Sequence, residues 1–460
     1  MSSMQKNKQF LKSTSSPRHA AFNVLIKLSG SDLHADDLID IELSRNLIQG
    51  PDRGLFTEMV FGVLRHQGTI DYYLDKLVNQ SINHLELPVL LLLRLGLYQI
   101  LYLDRVPEHA AVNETVALAD EVIPRAKGLI NGVLRNFLRS RGTIAMPVPE
   151  KSPIDCLTAS YSVPNWLAEQ WLRQFGFIEA AELATASLKI PVLTLRVNTL
   201  KTSRTAILDS FSAGEILAEP CRYSPEGIRL LQNYQITSLN EFSEGVFTIQ
   251  DESSQLVAHL LEPQPGDELL DICAAPGGKA THLAQLMGGK GNITATDLNP
   301  RRVKKIHESA ERMGIKNIKC LVADALSNDY LKGFMFDRIL LDAPCSGLGV
   351  IRRNPEAKWI LQPAELARCA SRQRLLLKAA STLLKPGGVM VYATCSTAPE
   401  EDEEVVQDFL SRNPEFMIEN GCHLFELGSE LFDSAGYMRI WPHKHGADGF
   451  FAVRLKRIDQ

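Results

Sequence analysis

The stretch Asp271-Ile-Cys-Ala-Ala-Pro-Gly-Gly-Lys279 constrains this chain more than any other, because a run of small residues there joins an apolar strand to a helix. Gln264-Pro-Gly-Asp267 just before it is a turn signal. Leu269, Leu270 and Ile272 supply the strand, and Leu283, Leu286 and Met287 give the next helix a buried stripe. Gly277 and Gly278 lack side chains, so the backbone can turn sharply and a ligand can approach its amides at the positive end of the new helix. Asp297 ends the next strand, Asn292-Ile-Thr-Ala-Thr296, about 20 residues further on, where a carboxylate can accept both hydroxyls of a ribose. A dinucleotide fingerprint would need G-x-G-x-x-G, which this turn lacks, so the reading favours S-adenosyl-L-methionine over NAD. Taken alone, Gly277-Gly278 also suits an ordinary turn in some other α/β protein.

From Asp251 onward strands and helices alternate regularly, which predicts a doubly wound parallel sheet with ligands beyond the carboxyl ends of its strands. The acidic residues and thiols obey that geometry. Asp297 follows the second strand, Asp324 follows Ile318-Lys-Cys-Leu-Val-Ala323, Asp342 follows Arg338-Ile-Leu-Leu341, and Cys395 follows Gly388-Val-Met-Val-Tyr-Ala-Thr394. All four are expected on one rim.

At 460 residues the chain has room for about three domains. We expect them at 1–145, 146–250 and 251–460. Residues 17–142 read as helix throughout, with Ala20, Val24, Leu25 and Leu28 at helical spacing, then Leu55–Leu64 and Leu90–Leu103. Between Arg125 and Arg141 lie five basic residues and no acidic one, either a solvated helix face or a set of phosphate contacts. Pro147, Pro149 and Pro153 mark a linker. Beyond it, Leu193-Thr-Leu-Arg-Val-Asn-Thr199, Gly227-Ile-Arg-Leu230 and Val246-Phe-Thr-Ile-Gln250 read as strands of a small α+β domain. Arg196 and Asn198 could touch RNA or form a strand's wet face.

Composition excludes several classes. A net charge of -5 argues against coating nucleic acid by bulk charge, so any RNA contact must be local. Eight cysteines without C-x-x-C pairs, and a polar start from Met1 to Ser16, point to a reducing cytoplasm. Pro88 and Arg94 interrupt the longest apolar run, Leu87–Leu103, which predicts a core helix and no membrane span. His443 and His445 lack companion ligands, so a hairpin turn before Gly449 is expected there and no metal.

Asp342-Ala-Pro-Cys-Ser-Gly347 puts a carboxylate and a thiol at one strand tip, and Ala393-Thr-Cys-Ser396 puts a second thiol at another. Cytosine C5 is too poor a nucleophile to accept a methyl group, but thiolate attack at C6 turns the ring into an enamine that can. The C5 proton must then leave and the thiol be eliminated, which a second acid/base group would assist. A thiol of pKa about 8.5 is mostly protonated at neutral pH, so the site must activate it, with Lys279 and helix N-termini as candidates. By chemistry alone either Cys345 or Cys395 could be the nucleophile. Cys156, Cys221, Cys273, Cys320, Cys369 and Cys422 read as inert packing. Arg352, Arg353 and Lys358 either hold an RNA backbone or solvate a loop, and Trp359 is core or a stacking platform.

Two resemblances extend this reading. His109-Ala-Ala-Val-Asn-Glu-Thr-Val116 and Lys127-Gly-Leu-Ile-Asn-Gly-Val-Leu-Arg135 resemble the NusB-like RNA-binding domain. Asp251 to Arg457 resembles the RNA (cytosine-5)-methyltransferase family, also called the Sun family. The combination implies an all-α NusB-like N-terminal domain, a small α+β RRM-like connecting domain and a C-terminal α/β Rossmann-like class I methyltransferase domain. It also implies methylation of C5 of a specific cytosine in 16S rRNA, by a cytoplasmic monomer using S-adenosyl-L-methionine. On this resemblance Cys395 is the nucleophile, Cys345 aids product release, and Asp342 contacts the target base. The cofactor would lie against Cys273, Ala274, Ala275, Pro276, Gly277, Gly278 and Lys279, with Asp297, Asp324 and Asp342. Because a paired base hides C6, the target must be single-stranded or flipped out.

Overall fold

The computed structural model describes residues 14–458 apart from 32, 46, 233, 328–330 and 332, so most of the polar start lies outside the described residues. The chain forms two compact units, one made of residues up to Lys189 with Ile351–Ile360, the other of Ile190–Val350 with Leu361 onward. No described helix is long and apolar enough to cross a membrane.

The first unit is helical: α1 Pro17–Leu28, α2 Ala35–Leu43, α3 Pro51–Arg65, α4 Gln67–Leu77, α5 Leu87–Tyr102, α6 Glu108–Val122, α7 Lys127–Ser140, α8 Pro153–Tyr161 and α9 Asn165–Leu188. Proline opens α1, α3, α5 and α8, where its fixed φ suits a first turn whose N–H groups have no helical acceptor. The apolar run 87–103 is indeed a core helix. On α5 nearly every residue from Pro88 to Ile100 is buried, and Phe22, Phe56, Tyr98 and Phe137 from four helices share its core. Its polar Gln99 is satisfied there, accepting from Arg18 Nε at 2.7 Å and donating to Leu95 O at 3.0 Å. On α7, Ile130, Val133, Leu134 and Phe137 face inward. Three cations of the basic run are paired outside, Arg125 with Glu86 (2.6 Å), Lys127 with Asp120 (2.7 Å) and Arg141 with Glu108 (2.7 Å). Exposed pairs of this kind contribute at most about 1 kcal/mol each and exchange readily for other anions.

The segment Ile351–Ile360 is held by helix ends. Lys358 Nζ donates to Arg65 O (3.0 Å) and Trp359 Nε1 to Leu64 O (2.6 Å), giving donors to two carbonyls in the last turn of α3. Glu356 Oε1 accepts from the amide of Ala35 (3.3 Å), the first residue of α2, and also faces His34 Nδ1 (3.3 Å). The sequence alternatives for this segment therefore need correcting. Lys358 is 1% exposed and Arg352 7%, so neither solvates a loop nor is placed to grip a phosphate.

The second unit begins with a four-stranded antiparallel sheet, β1 Thr194–Val197, β2 Ala218–Pro220, β3 Gly227–Leu230 and β4 Phe247–Ile249, in the order β2-β3-β1-β4, packed on α10 Arg204–Ala213. There follow α11 Glu252–Leu261, β5 Glu268–Ile272, α12 Gly278–Leu286, β6 Asn292–Asp297, α13 Pro300–Met313, β7 Ile318–Val322, β8 Phe336–Asp342, α14 Pro363–Ser381, β9 Leu384–Thr394, α15 Glu403–Arg412, β10 Phe416–Ile418, β11 Met438–Ile440 and β12 Phe450–Arg457. Strands β5 to β9 are parallel, in the order β7-β6-β5-β8-β9, so the winding reverses between β5 and β8. A crevice at the carboxyl ends of these strands is where such sheets bind ligands. The sheet is mixed where the sequence reading expected it parallel, because β12 runs antiparallel to β9 and carries β10 and β11 on its far edge. An antiparallel edge on a wound sheet is common.

Two outcomes test the anchoring of Ile351–Ile360. Trp359→Phe keeps the bulk but loses the N–H donor, at a cost of about 1 kcal/mol, and should speed tryptic cleavage after Arg352 or Arg353. An unchanged cleavage rate would mean the indole bond does not hold the segment. Burial, then the neighbouring Arg65 charge, lowers the Lys358 pKa to about 7. Between there and the solvated value of about 10.4, the unfolded chain binds a proton that the folded unit does not, so stability should rise with pH. Lys358→Met should flatten that rise in a series of thermal melts.

Candidate active site

The turn after β5 is built as a cradle. Cys273 takes a positive φ of 62° and Gly277 one of 103°, and a Cβ at position 277 would stand 3.0 Å from the Ile306 backbone. Glycine is therefore required where the turn closes on α13. Gly277 caps α12, whose first amides face the turn. Alongside, Asp297 Oδ1 accepts from the Asn299 amide (3.0 Å). Its Oδ2 is buried without a hydrogen-bond partner, although Arg302 Nη2 stands 3.4 Å away. A buried oxygen with spare acceptor capacity suits a ligand hydroxyl. Asp324 follows β7 at the exposed edge of this rim, joined to Asp297 through the Ala323 amide on Asp297 O (3.1 Å).

Across the winding reversal, Lys279 Nζ donates to Asp342 Oδ2 at 2.7 Å and lies 5.2 Å from the Phe450 ring centre. Burial works against the Lys279 ammonium, but the charge and hydrogen bond of Asp342, with a smaller contribution from Cys395, hold its pKa above the ordinary lysine value. Asp271, one strand position before the turn, is fully buried, and burial followed by the Asp342 charge pushes its carboxyl well up toward the neutral form.

The two thiols meet. Cys345 Sγ and Cys395 Sγ are 3.2 Å apart. Parallel pairing sets this up, since Asp342 on β8 lies opposite Ala393 on β9, so both loops leave the sheet side by side. Gly349 N donates to Cys395 O (2.9 Å), and a Cβ at Gly349 would strike Gly449 O at 2.1 Å, so the loop after Cys345 lies flat against the Cys395 backbone. The hydrogen bond shared with Cys395, together with burial, raises the Cys345 pKa well above the usual thiol value.

All eight cysteines are free. Burial pushes Cys273 up to about 12 and Cys369 to about 11, which keeps these thiols inert. His443 and His445 sit in a one-turn helix that links antiparallel β11 and β12, and His445 Nδ1 accepts from the Trp441 amide at 2.8 Å. Arg196 and Asn198 are neither a wet face nor RNA contacts. Both are 0% exposed, because β1 is an inner strand packed against the larger fold. Arg196 Nη1 donates to Gly278 O (2.5 Å) and Nη2 to Thr281 Oγ1 (2.9 Å), so the small sheet braces the cradle from behind. Burial lowers the Arg196 pKa to about 9. Glu401 and Gln373, fully buried beside the cysteine loops, also went unmarked in the sequence reading. The acid-rich run Glu400-Glu-Asp-Glu-Glu404, following the second thiol directly, was the available signal.

Cys395→Ala removes the hydrogen bond that contributes most to the raised Cys345 pKa. Alkylation of Cys345 by iodoacetamide, followed on its peptide by mass spectrometry, should then reach half its maximal rate at lower pH than in the wild type. An unmoved midpoint would leave burial as the whole cause.

Comparison with known proteins agrees with this architecture. Residues 258–456 match the model of the family described as 16S rRNA methyltransferase RsmB/F, residues 15–139 that of the NusB family, and residues 163–237 that of the RsmF/B-like ferredoxin-like domain. The chain is 37% identical over 449 residues to a probable ribosomal RNA small subunit methyltransferase B of Bacillus subtilis, covering 96% of this chain and 99% of that one. It is 35% identical over 446 residues to the ribosomal RNA small subunit methyltransferase B of Pseudomonas putida, covering 96% and 98%. Among solved structures, NSun6 from Pyrococcus horikoshii with SFG superposes with a TM-score of 0.57 at 25% identity, over 65% of this chain and 99% of that one. With its NusB-like helices, ferredoxin-like middle sheet and wound C-terminal sheet, the chain belongs to the RsmB/F family of 16S rRNA methyltransferases.

Proposed function

We propose that the chain methylates C5 of a specific cytosine in 16S rRNA through a covalent bond between Cys395 and C6 of the base, with S-adenosyl-L-methionine as donor and Cys345 assisting release. The observation that carries this is the approach of two thiols to 3.2 Å at a strand-end rim beside the Lys279–Asp342 ion pair. When bound, S-adenosyl-L-methionine supplies an electrophilic methyl group. Residues 273–279, Asp297, Asp324 and Asp342 would hold it, and the buried Asp297 Oδ2, without a hydrogen-bond partner, fits a ribose hydroxyl. The relative NSun6 with SFG, an S-adenosyl-L-methionine analogue, supports the same donor.

The Lys279 ammonium, held in place by Asp342, puts a positive charge beside the sulfur that attacks C6. Asp342, fixed by Lys279, is available to the amino edge of the base. Cys345 stays protonated at neutral pH, which suits it poorly as nucleophile and well as hydrogen-bond donor. As water takes the C5 proton, the electrons of the C5–H bond restore the C5=C6 double bond and the C6–Sγ bond breaks, so Cys395 leaves as a thiolate whose negative charge the neighbouring Cys345 S–H stabilises. RNA capture falls to residues 1–145 and 146–250 and chemistry to 251–460, in a monomer working in the cytoplasm.

RNA containing 5-fluorocytosine, which cannot lose its C5 substituent as a proton, tests the roles. The wild type should form a species of reduced gel mobility, and Cys395→Ala should form none. On unmodified RNA, Cys345→Ala should accumulate an adduct that persists. Reversed outcomes would exchange the two cysteines, and nucleoside digestion without 5-methylcytosine would sink the reading.

A further inference from the structure

We propose that Glu401 is a positioning residue that sets the separation and orientation of the two thiols, holding both cysteine loops with one carboxyl group. The proposal deepens the functional reading above and rests on it for the thiols' roles. Ser346, which follows Cys345, gives Glu401 two donors, its amide to Oε1 (2.8 Å) and its hydroxyl to Oε2. Ser396, which follows Cys395, donates its hydroxyl to the same Oε2 (2.6 Å). Each thiol is thus one residue from a bond to a common acceptor. Their partners in sequence are 50 residues apart, so nothing local could hold them in step.

The remaining contacts hold the same pair of loops. Gln373 Nε2, on α14, donates both to Glu401 Oε1 (3.1 Å) and to Pro344 O (3.0 Å), so Cys345 is fastened on either side. Thr394 Oγ1 donates to Asp402 Oδ1 (2.6 Å), and Tyr392 Oη to Glu401 O (2.5 Å), which does the same for Cys395. Glu401 and Gln373 are 0% exposed and Ser396 1%. Burying a carboxyl group is costly unless its acceptors are filled, and here four donors fill them. Apolar packing could bury these loops at less cost. A planar two-oxygen acceptor adds a fixed distance between them, which a reaction needing both sulfurs at one ring requires.

Full-length protein tests this with a readout that needs no RNA. Hydrogen peroxide should oxidise the two thiols to a Cys345–Cys395 disulfide, consuming one peroxide and releasing two waters, at a rate that reports how often the sulfurs meet in line. Glu401→Ala should slow disulfide formation and kcat on the order of tenfold, the loss expected for charge-assisted bonds, with KM for RNA little changed. Glu401→Gln, which keeps an acceptor oxygen, should lie between. Should Glu401→Ala fail to fold, Ser346→Ala and Ser396→Ala decide, since each deletes one arm. Loss of the Ser396 arm should slow adduct formation, and loss of the Ser346 arm should slow turnover after the adduct has formed. Wild-type oxidation rates in folded Glu401→Ala, or in both serine variants, would overturn the proposal. If the variants order as expected in oxidation while the wild type forms no RNA adduct, the tether stands and the functional reading fails.

Discussion

The rim where the two thiols meet depends on the register of β8 against β9. Parallel strands pair with their carboxyl ends on one side, and the match of Asp342 with Ala393 means the next residues of both strands leave the sheet together. A slip of one residue would turn every side chain on a strand to the opposite face and part Asp342 from Ala393, so the two loops would leave the sheet out of step. Register here is enforced by close packing, because Leu340, Leu341, Val391 and Tyr392 are all 0% exposed and a slip would put each into a site shaped for its neighbour. Core packing thus sets the approach of the two sulfurs, for no covalent bond between the thiols is needed to bring them close.

Around that register the fold gathers polar groups that the sheet alone would leave unsatisfied. Glu401 collects the serines after each cysteine, Lys279 neutralises Asp342, and Arg196 reaches in from the small sheet to hold Gly278. In low dielectric such interactions are strong when complete and destabilising when one member is missing. The middle sheet is consequently more than a spacer, since its buried arginine fixes the cradle through Gly278 and Thr281.

The NusB-like unit solves a different problem. Its helices are arranged around one apolar helix, and its own helix ends are completed by residues that lie more than 280 positions away in sequence, with Lys358 and Trp359 on α3 and Glu356 on α2. Four orphan carbonyls and four orphan amides per helix are a standing demand, and an insertion from the catalytic half of the sequence meets part of it. Through the chain itself, the peptide leaving the Cys345 loop enters this unit at Ile351.

Much of this was legible without coordinates. Strand-to-helix alternation determined the wound sheet, the small-residue turn determined the cradle, and acids and thiols placed after strands determined the rim, because periodicity of burial and the conformational needs of glycine are local properties. Local patterns could not say that Arg196, Lys358 and Glu401 are buried. A charged residue reads as solvated until its partners are known, and those partners, Gly278 O, Arg65 O and the Ser346 amide, come from elements far away in sequence. The antiparallel edge was hidden for the same reason, since strand direction is settled by long-range pairing. Tertiary structure alone decided the 3.2 Å approach of Cys345 to Cys395, because it sums the register of two strands and the four donors that close on one buried carboxyl group.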